Sequence, residues 1–394
     1  MACVHPNKTP IKEASTKLET VKKIAVLRAN ALGDFIFVLP ALRALKETFP
    51  GVEIVYLGKP WHQEFLKGRP VPIDRVVVVP PYPGVGAAYD HHRDEAQLDQ
   101  FFAEMQAEGF DLAFQFHGGG GNSNPFVKRL GAKKSIGLQA AGAPPLDINV
   151  PYIMYFSEPM RYLEVVAKAG AKTVWIEPEF DSIPSDLDEL KALILDYQNK
   201  KLIVIHPGAT DLRRRWSPQN FAAVADFLIG TGFTVLITGS DWERGVTNAV
   251  IENMAQKKHV VDFCGKISLT GLTGLLSVSK LLISNDTGPL HLARALKTPT
   301  VATYWCGNVI TSAPFTLATN RTLLSWMIEC PLCGKNITGP ASSHDDNANC
   351  KHDVSFVDGI SIDQVKIAAF DLLKQNGEWP QEAGQLQVEP SNYI

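Results

Sequence analysis

One stretch of this sequence joins anion-binding side chains to the signature of a helix start. Ser284-Asn285-Asp286-Thr287-Gly288-Pro289-Leu290-His291 follows the apolar run Leu281-Leu282-Ile283 and opens a helix-like run that reaches Leu296. A strand that ends in a small polar turn and passes at once into a helix leaves backbone N–H groups unpaired. They lie at the positive end of the helix dipole. Asp286 and Thr287 add a carboxylate and a hydroxyl, Gly288 lets a ligand approach the backbone, and Pro289 suits the first helical turn. His291 follows one turn later on the same side. This composition fits a site for a polar, phosphorylated ligand. The plainer reading is a helix cap made by Asp286 or Thr287, with His291 on the surface.

Three further stretches have the same character. His206-Pro207-Gly208-Ala209-Thr210-Asp211 leads into Leu212-Arg213-Arg214-Arg215-Trp216 and then Ser217-Pro218, a cap and first-turn pair. Arginine forks match phosphate oxygens two at a time. A charged hydrogen bond contributes about 1.5–3 kcal/mol, a helix terminus only about 0.3–1 kcal/mol, so arginine rather than the dipole is expected to hold a diphosphate. Thr238-Gly239-Ser240-Asp241-Trp242-Glu243 places Glu243 where it can accept from ribose hydroxyls or favour a helix start. Arg28-Ala29-Asn30-Ala31-Leu32-Gly33-Asp34 ends an apolar run without a Gly-x-Gly-x-x-Gly, which argues against a dinucleotide cofactor. Asp34 reads as a cap or as a carboxylate base facing a cleft.

Positioning these stretches requires strands. Lys23–Arg28, Val52–Leu57, Arg75–Val79 and Phe110–Phe116 are continuous apolar runs, with helical spacing over 35–49 and 97–108. After a proline-rich interval and a helix over 161–169, the rhythm resumes. Its strands are Lys201–His206, Phe233–Thr238, His259–Phe263, Leu281–Ser284 and Thr300–Tyr304, its clearest helix 219–229. Apolar strands alternating with helices predict parallel sheets covered on both faces. The fold class expected is α/β, two Rossmann-like domains facing across a cleft. The expected organisation is a flexible leader at 1–20, an N-terminal domain at 21–180 and a C-terminal domain at 181–360. A helix at 361–375 and a flexible tail at 376–394 complete it.

The chain has 394 residues, enough for two cores, and a formal charge of -3 that offers no field for nucleic acid. No run of about 18 apolar residues occurs, so no transmembrane segment is expected. The first twenty residues lack an apolar secretion core, and six cysteines in so long a chain do not make a disulfide framework, so a reducing, cytoplasmic setting is expected. Cys330-Pro331-Leu332-Cys333 with Cys350 and His352 has the spacing of a zinc knuckle with a loose second half. Loop thiols are the simpler reading. Asp186-Leu187-Asp188 has the spacing of a metal-holding Asp-x-Asp, but its place after Pro184-Ser185 is better explained by capping.

Taken in order, the motifs resemble glycosyltransferase family 9, the ADP-heptose:lipopolysaccharide heptosyltransferases and their relatives. The resemblance is carried by Gly33-Asp34 with Leu39-Pro40-Ala41-Leu42, by His206-Pro207-Gly208-Ala209 with Arg214-Arg215-Trp216, and by Thr238-Gly239 ahead of Glu243. Asp286-Thr287-Gly288-Pro289 with His291-Leu292-Ala293 completes the set, which spans about residues 22 to 372. It implies a GT-B fold, with the nucleotide donor in the C-terminal domain and the acceptor in the N-terminal one. It also implies transfer with inversion, no cofactor and no metal in the active site. By position Asp34 becomes the general base. Thr210, Arg214 and the N–H groups around Thr287 and Gly288 become the diphosphate contacts, and Arg215 a further donor-binding residue. Glu243 becomes the ribose contact, and Asp286 and His291 line the donor sugar or phosphate. Asn30, Gly33 and Arg129 become acceptor contacts.

The expected partners are a nucleotide-diphosphate sugar and a glycan or glycolipid such as lipopolysaccharide core, met by a cytoplasmic enzyme peripheral to the inner membrane. The loop His117-Gly118-Gly119-Gly120-Gly121 and the segment 80–95, with His91, His92 and Arg93, depart from the family's acceptor side. Two other readings share the fold: a nucleotide-sugar epimerase or hydrolase, and an inactive nucleotide-sugar-binding partner. Asp34 counts against the last, since mere binding has no use for a carboxylate there.

Overall fold

The computed structural model describes residues 21–336, 350 and 352–380. The expected leader, and the expected tail beyond residue 380, lie outside the described residues. Two six-stranded sheets organise the chain. The first comprises β1 (Lys23–Leu27), β2 (Glu53–Gly58), β3 (Arg75–Val78), β4 (Leu112–Gln115), β5 (Lys134–Gln139) and β6 (Ile148–Pro151). The second comprises β7 (Leu202–His206), β8 (Thr234–Ile237), β9 (Val260–Asp262), β10 (Leu281–Asn285), β11 (Thr300–Trp305) and β12 (Asn320–Ser325). Every pairing within them is parallel. The spatial orders are β3-β2-β1-β4-β5-β6 and β9-β8-β7-β10-β11-β12. Each half thus has the doubly wound Rossmann order.

The central strands are apolar because helices cover both faces; every residue of β7, β10 and β11 is buried. Three strands of these two sheets escaped the sequence reading. β5 interleaves Ser135 and Gly137 with its apolar residues; β6, Ile148-Asn149-Val150-Pro151, is short, lies on a sheet edge and ends in proline. Proline is tolerated there because an edge strand has no ladder partner on one side. β12 is the matching edge of the second sheet, and four of its six residues are only partly buried.

The helix after β1, Leu32–Thr48, is buried along most of its length and contains Pro40. Proline inside a helix costs about 3 kcal/mol, and burial of Phe35, Val38, Leu39 and Leu42 around it offsets that loss. The same helix packs on Gly288–Ala295 of the other half, so one apolar cluster runs from Ile24 and Phe35 through to Leu290 and Ala293.

The connection between the sheets is fastened by charge. Arg69 donates from both guanidinium ends to Asp186, at 2.7 and 2.5 Å, and both side chains are fully buried. Asp186 also accepts the N–H of Ile183 at 2.9 Å, which is the cap expected of it. The Asp-x-Asp is therefore a fastening of the connection, and Asp188 turns outward to Lys191. Removing one partner of a buried pair leaves the other charge desolvated, at a cost of about 3–5 kcal/mol. Arg69→Met should lower unfolding stability by that order in urea, whereas the double change Arg69→Met with Asp186→Leu should recover much of it. A loss under about 1 kcal/mol for the single variant would show that the pair is not fully desolvated.

Candidate active site

Where strand order reverses in a parallel sheet, the loops on either side of the break diverge and open a crevice beyond the strand carboxyl ends. The breaks fall between β1 and β4 and between β7 and β10. β1 runs into Arg28–Asp34, β7 into His206–Arg215 and β10 into Asp286–His291. The helices that follow β1 and β10 meet at their amino ends. A methyl group on Gly33 would stand 2.8 Å from Cδ2 of His291, and one on Gly288 3.2 Å from Cβ of Leu32. Glycine at both positions is what permits this approach. A cleft of about 260 Å³ lies there, with Asp34 and Glu158 contributed by the first half and Arg214, Asp286, His291 and Ser312 by the second.

Asp286 is buried and fully engaged. Its Oδ1 lies 3.2 Å from Nε2 of His291 and accepts the Ser312 hydroxyl at 3.0 Å; its Oδ2 lies 3.7 Å from a guanidinium nitrogen of Arg214. Burial works against its charge, but His291, Arg214 and Ser312 outweigh it and hold the carboxyl below the usual range. Thr287, at the N-cap, makes no side-chain capping bond, so neither residue serves as the simple cap. His291 is buried against Phe37, with ring centroids 4.5 Å apart. Nδ1 of His291 faces the guanidinium of Arg294 at 3.1 Å. Arginine only donates, so Nδ1 holds the lone pair and Nε2–H points at Asp286. Burial, with Arg294 and Arg214 nearby, keeps the ring neutral despite Asp286.

The three arginines divide their work. Arg213 closes on Asp211 at 2.7 Å, and Arg215 donates to the carbonyl of Ala209 at 2.8 Å beside the Trp242 ring. Arg214 alone of the three lines the cleft. Its Nε is buried with no hydrogen-bond partner among the described residues. A buried donor without an acceptor is costly, and an anion in the cleft would supply one.

On the opposite wall, Arg28 is buried and donates to Asp34 at 2.6 Å and to the carbonyl of Phe116. A second carboxylate, Glu158, stands 3.5 Å from the same nitrogen and is held by Arg161 and Tyr162. Burial opposes the charge on Arg28, yet Asp34, Tyr162 and Glu158 keep it protonated. Asp34 also accepts the N–H of Ala31 at 3.1 Å, so one oxygen steadies the helix start while the other is held by Arg28.

A second hollow, about 280 Å³, adjoins the cleft and shares Thr210 and Thr287 with it. Its walls include Ile267, Leu269, Leu272 and Pro289, with Trp242 at its side and Glu243 within. Glu243 is buried; it accepts from Ser240 at 2.9 Å through the backbone and lies 3.7 Å from His206. A larger hollow of about 640 Å³ beside Gln63, Lys67 and Asp74 shares no residue with either.

Of the residues singled out from the sequence, Gly33, Asp34, Thr210, Arg214, Asp286, Thr287, Gly288 and His291 meet in the cleft, and Glu243 in the adjoining hollow. Arg215, Asn30 and Arg129 do not line either. Arg129 pairs with Asp99 at 2.6 Å and covers Phe102, so its charge is spent on the helix over Glu95–Ala107. Glu158, Asn308, Thr311 and Ser312 line the cleft and were not anticipated. Asn308 to Ser312 follow the end of β11, the same signal that marked the other loops, whereas Glu158 opens a helix after an irregular stretch and carries no such mark. Cys330, Cys333, Cys350 and His352 converge on one another away from the cleft.

The profile described as glycosyltransferase family 9 (heptosyltransferase) matches residues 100–327, more than half of the chain. The chain belongs to glycosyltransferase family 9. As a member it is a glycosyltransferase of GT-B fold, and no helix among the described residues is long and apolar enough to cross a membrane. It is 21% identical to lipooligosaccharide heptosyltransferase 2 of Haemophilus ducreyi over 294 residues, covering 70% of this chain and 81% of that protein. A family 9 glycosyltransferase structure from Veillonella parvula superposes with a TM-score of 0.72 at 21% identity, over 90% of this chain and 97% of that one. The E. coli ADP-heptose lps heptosyltransferase II superposes with a TM-score of 0.68 at 16% identity, over 90% and 99%.

The residue that follows Phe116 makes a pH prediction. His117, at the end of β4, accepts the N–H of Ala29 at Nδ1 (3.2 Å), and its Nε2 faces the carbonyl of Gly84 at 2.8 Å. Those bonds require the neutral ring. Burial, with Arg28 adding to it, brings its pKa down to about 4. An unfolded histidine binds its proton near pH 6.5, so the unfolded state holds more protons between these values. Stability from this group is complete above pH 6.5 and is lost as pH falls towards 4. Urea unfolding at pH 7 and pH 5 should therefore show a smaller acid loss for His117→Gln than for the wild type; equal losses would mean that His117 is not held neutral.

Proposed function

We propose that this chain transfers heptose from ADP-heptose, with inversion, to the core of a lipopolysaccharide or a related glycolipid. The observation that carries the reading is the face-off across the cleft. Asp34 stands on the first half, and Arg214 and Asp286 on the second, where two helix amino ends converge. In this reading the nucleoside occupies the hollow between Trp242 and Leu272, with Glu243 on the ribose. The diphosphate lies at the junction marked by Thr210 and Thr287, and the sugar extends towards Asp34. The relative named for ADP-heptose and lps supports the choice of donor and acceptor.

The chemistry then runs in one displacement. The acceptor hydroxyl oxygen forms a bond to the anomeric carbon while the bond from that carbon to the diphosphate oxygen breaks. The proton of the hydroxyl passes to Asp34, and the electron pair leaves with ADP. Arg214 and the amino end of the Gly288–Ala295 helix stabilise the charge that develops on the leaving oxygen. Arg28 is a positioning residue: it fixes the carboxylate of Asp34 at the wall of the cleft, where it can take the proton as the new bond forms. A glycolipid acceptor places the reaction at a membrane surface, on the cytoplasmic side where the nucleotide donor is available.

Asp34→Asn should reduce transfer by about 10²-fold or more while calorimetry finds ADP affinity near wild type; a variant with normal turnover would remove Asp34 as base. Arg214→Ala should weaken ADP binding by roughly ten- to a hundredfold, the equivalent of about 1.5–3 kcal/mol; unchanged affinity would refute the diphosphate contact. A thermal-shift panel of ADP-, GDP- and UDP-sugars should single out ADP-heptose by mass action. Donor breakdown without an acceptor would favour a hydrolase instead.

A further inference from the structure

The motif left without a role is Cys330-Pro331-Leu332-Cys333 with Cys350 and His352. Three Sγ atoms and one imidazole nitrogen, one from each residue, lie within 4.8 Å of one another. Cys333 Sγ is 3.7 Å from Cys350 Sγ, and Nδ1 of His352 is 3.6 Å from Cys330 Sγ and 3.4 Å from Cys350 Sγ. A disulfide needs sulfurs about 2.05 Å apart, and these cysteines are free. A tetrahedral ion accounts for the spacing. Bonds of about 2.3 Å to sulfur and about 2.0 Å to nitrogen set neighbouring ligand atoms about 3.8 Å (S to S) and about 3.5 Å (S to N) apart. The turn is closed by Cys330 N–H on the carbonyl of Lys335 at 2.9 Å and Gly334 N–H on that of Cys330 at 2.8 Å. It presents both knuckle thiols to the pair that returns at 350 and 352.

We propose that these four residues bind one thiophilic transition-metal ion, and that the ion fastens the loop carrying Arg214 through the segment that follows His352. Three thiolates and an imidazole are a donor set for zinc or iron rather than for magnesium or calcium. Four protein ligands leave no open position, and none of the four lines the cleft, so the ion's role is structural. The connection to the loop is direct. Phe356 N–H donates to the carbonyl of Arg213 at 2.8 Å, and Asp358 accepts the N–H of Ser217 at 2.7 Å. The carbonyl of Ile360 accepts the indole N–H of Trp216 at 2.8 Å. These bonds bracket Arg214 on both sides. Cys330, Phe356, Val357, Ile360 and Trp216 share one apolar core, so the knuckle and the loop move as a unit while the core is intact. Fixing His352 fixes the start of the strap that holds the loop down.

Elemental analysis of the full-length chain, purified anaerobically without chelator, should find about one equivalent of zinc or iron per chain, and the Cys333→Ser, Cys350→Ser double variant next to none. Because that variant has its own folding risk, the wild-type chain is also stripped with a chelator and reloaded. Hydrogen exchange should accelerate about tenfold or more in peptides covering 210–217 and 353–361 when the metal is removed, and return on reloading with zinc or ferrous iron. Peptides of the first sheet should not change. ADP affinity should fall with stripping, a consequence that rests on the donor reading of Arg214. Absence of metal both as purified and after anaerobic reloading would overturn the site. Bound metal with unchanged exchange in both peptides would overturn the link to the loop. Metal content and exchange are read without nucleotide, so a loaded chain that fails to bind ADP would refute the donor reading while the site and the link stand on their own results.

Discussion

Two helices point their amino ends at one small volume, and most of the polar arrangement follows from that constraint. Like poles repel, each carrying about half a positive charge, and Arg28 and Arg214 add two full ones. The carboxylates of Asp34, Glu158 and Asp286 balance them without ligand. Each is tethered: Asp34 by Arg28, Glu158 by Arg161 and Tyr162, Asp286 by His291 and Ser312. A cleft built of opposed charges at fixed positions does not reorganise when a charged group enters it. That is the condition under which electrostatic stabilisation of a leaving group is most effective. Arg214, which lines the cleft, keeps a buried Nε with no hydrogen-bond partner among the described residues, a donor left for an entering anion.

The twin sheets explain why such a cleft can be held rigid. Both have the order in which the central break leaves a crevice, and both present that crevice at strand carboxyl ends. The Leu32–Thr48 and Gly288–Ala295 helices carry the charges inward on regular backbone. Their shared apolar cluster and the buried Arg69–Asp186 pair keep the halves in register. Side chains mounted on helix starts have less freedom than side chains in loops.

Much of this was legible in the sequence, because the information is local. A buried parallel strand is a continuous apolar run, and a charged residue just beyond it stands out against that run. Asp34, Arg214 and Asp286, which the fold brings to one cleft, were singled out in this way. What the sequence hid depends on contacts between distant residues. Three consecutive arginines look alike until Asp211 engages one, the Ala209 carbonyl another, and only Arg214 is left facing the cleft. Arg129 matched an acceptor role by position, but Asp99 and Phe102 claim it. The strands β5, β6 and β12 are interrupted or edge-placed, and so lack the apolar continuity that marks a central strand. Cys330 and Cys333 with Cys350 and His352 had a knuckle spacing too loose to prefer over plain loop thiols, until the fold brought the four together.

The repeated strand order also bears on how such a molecule diverges. Loops after β1 and β4 belong to one sheet and loops after β7 and β10 to the other, and no strand is shared between them. Insertions or exchanges beyond β4, where this chain carries His117 and a run of four glycines, leave the hydrogen-bond ladder of the second sheet untouched. One half can therefore drift towards a new partner while the other keeps its chemistry. The seam between Gly33 and Gly288 is the place where both must still agree, so it is the tightest filter on what can be inherited.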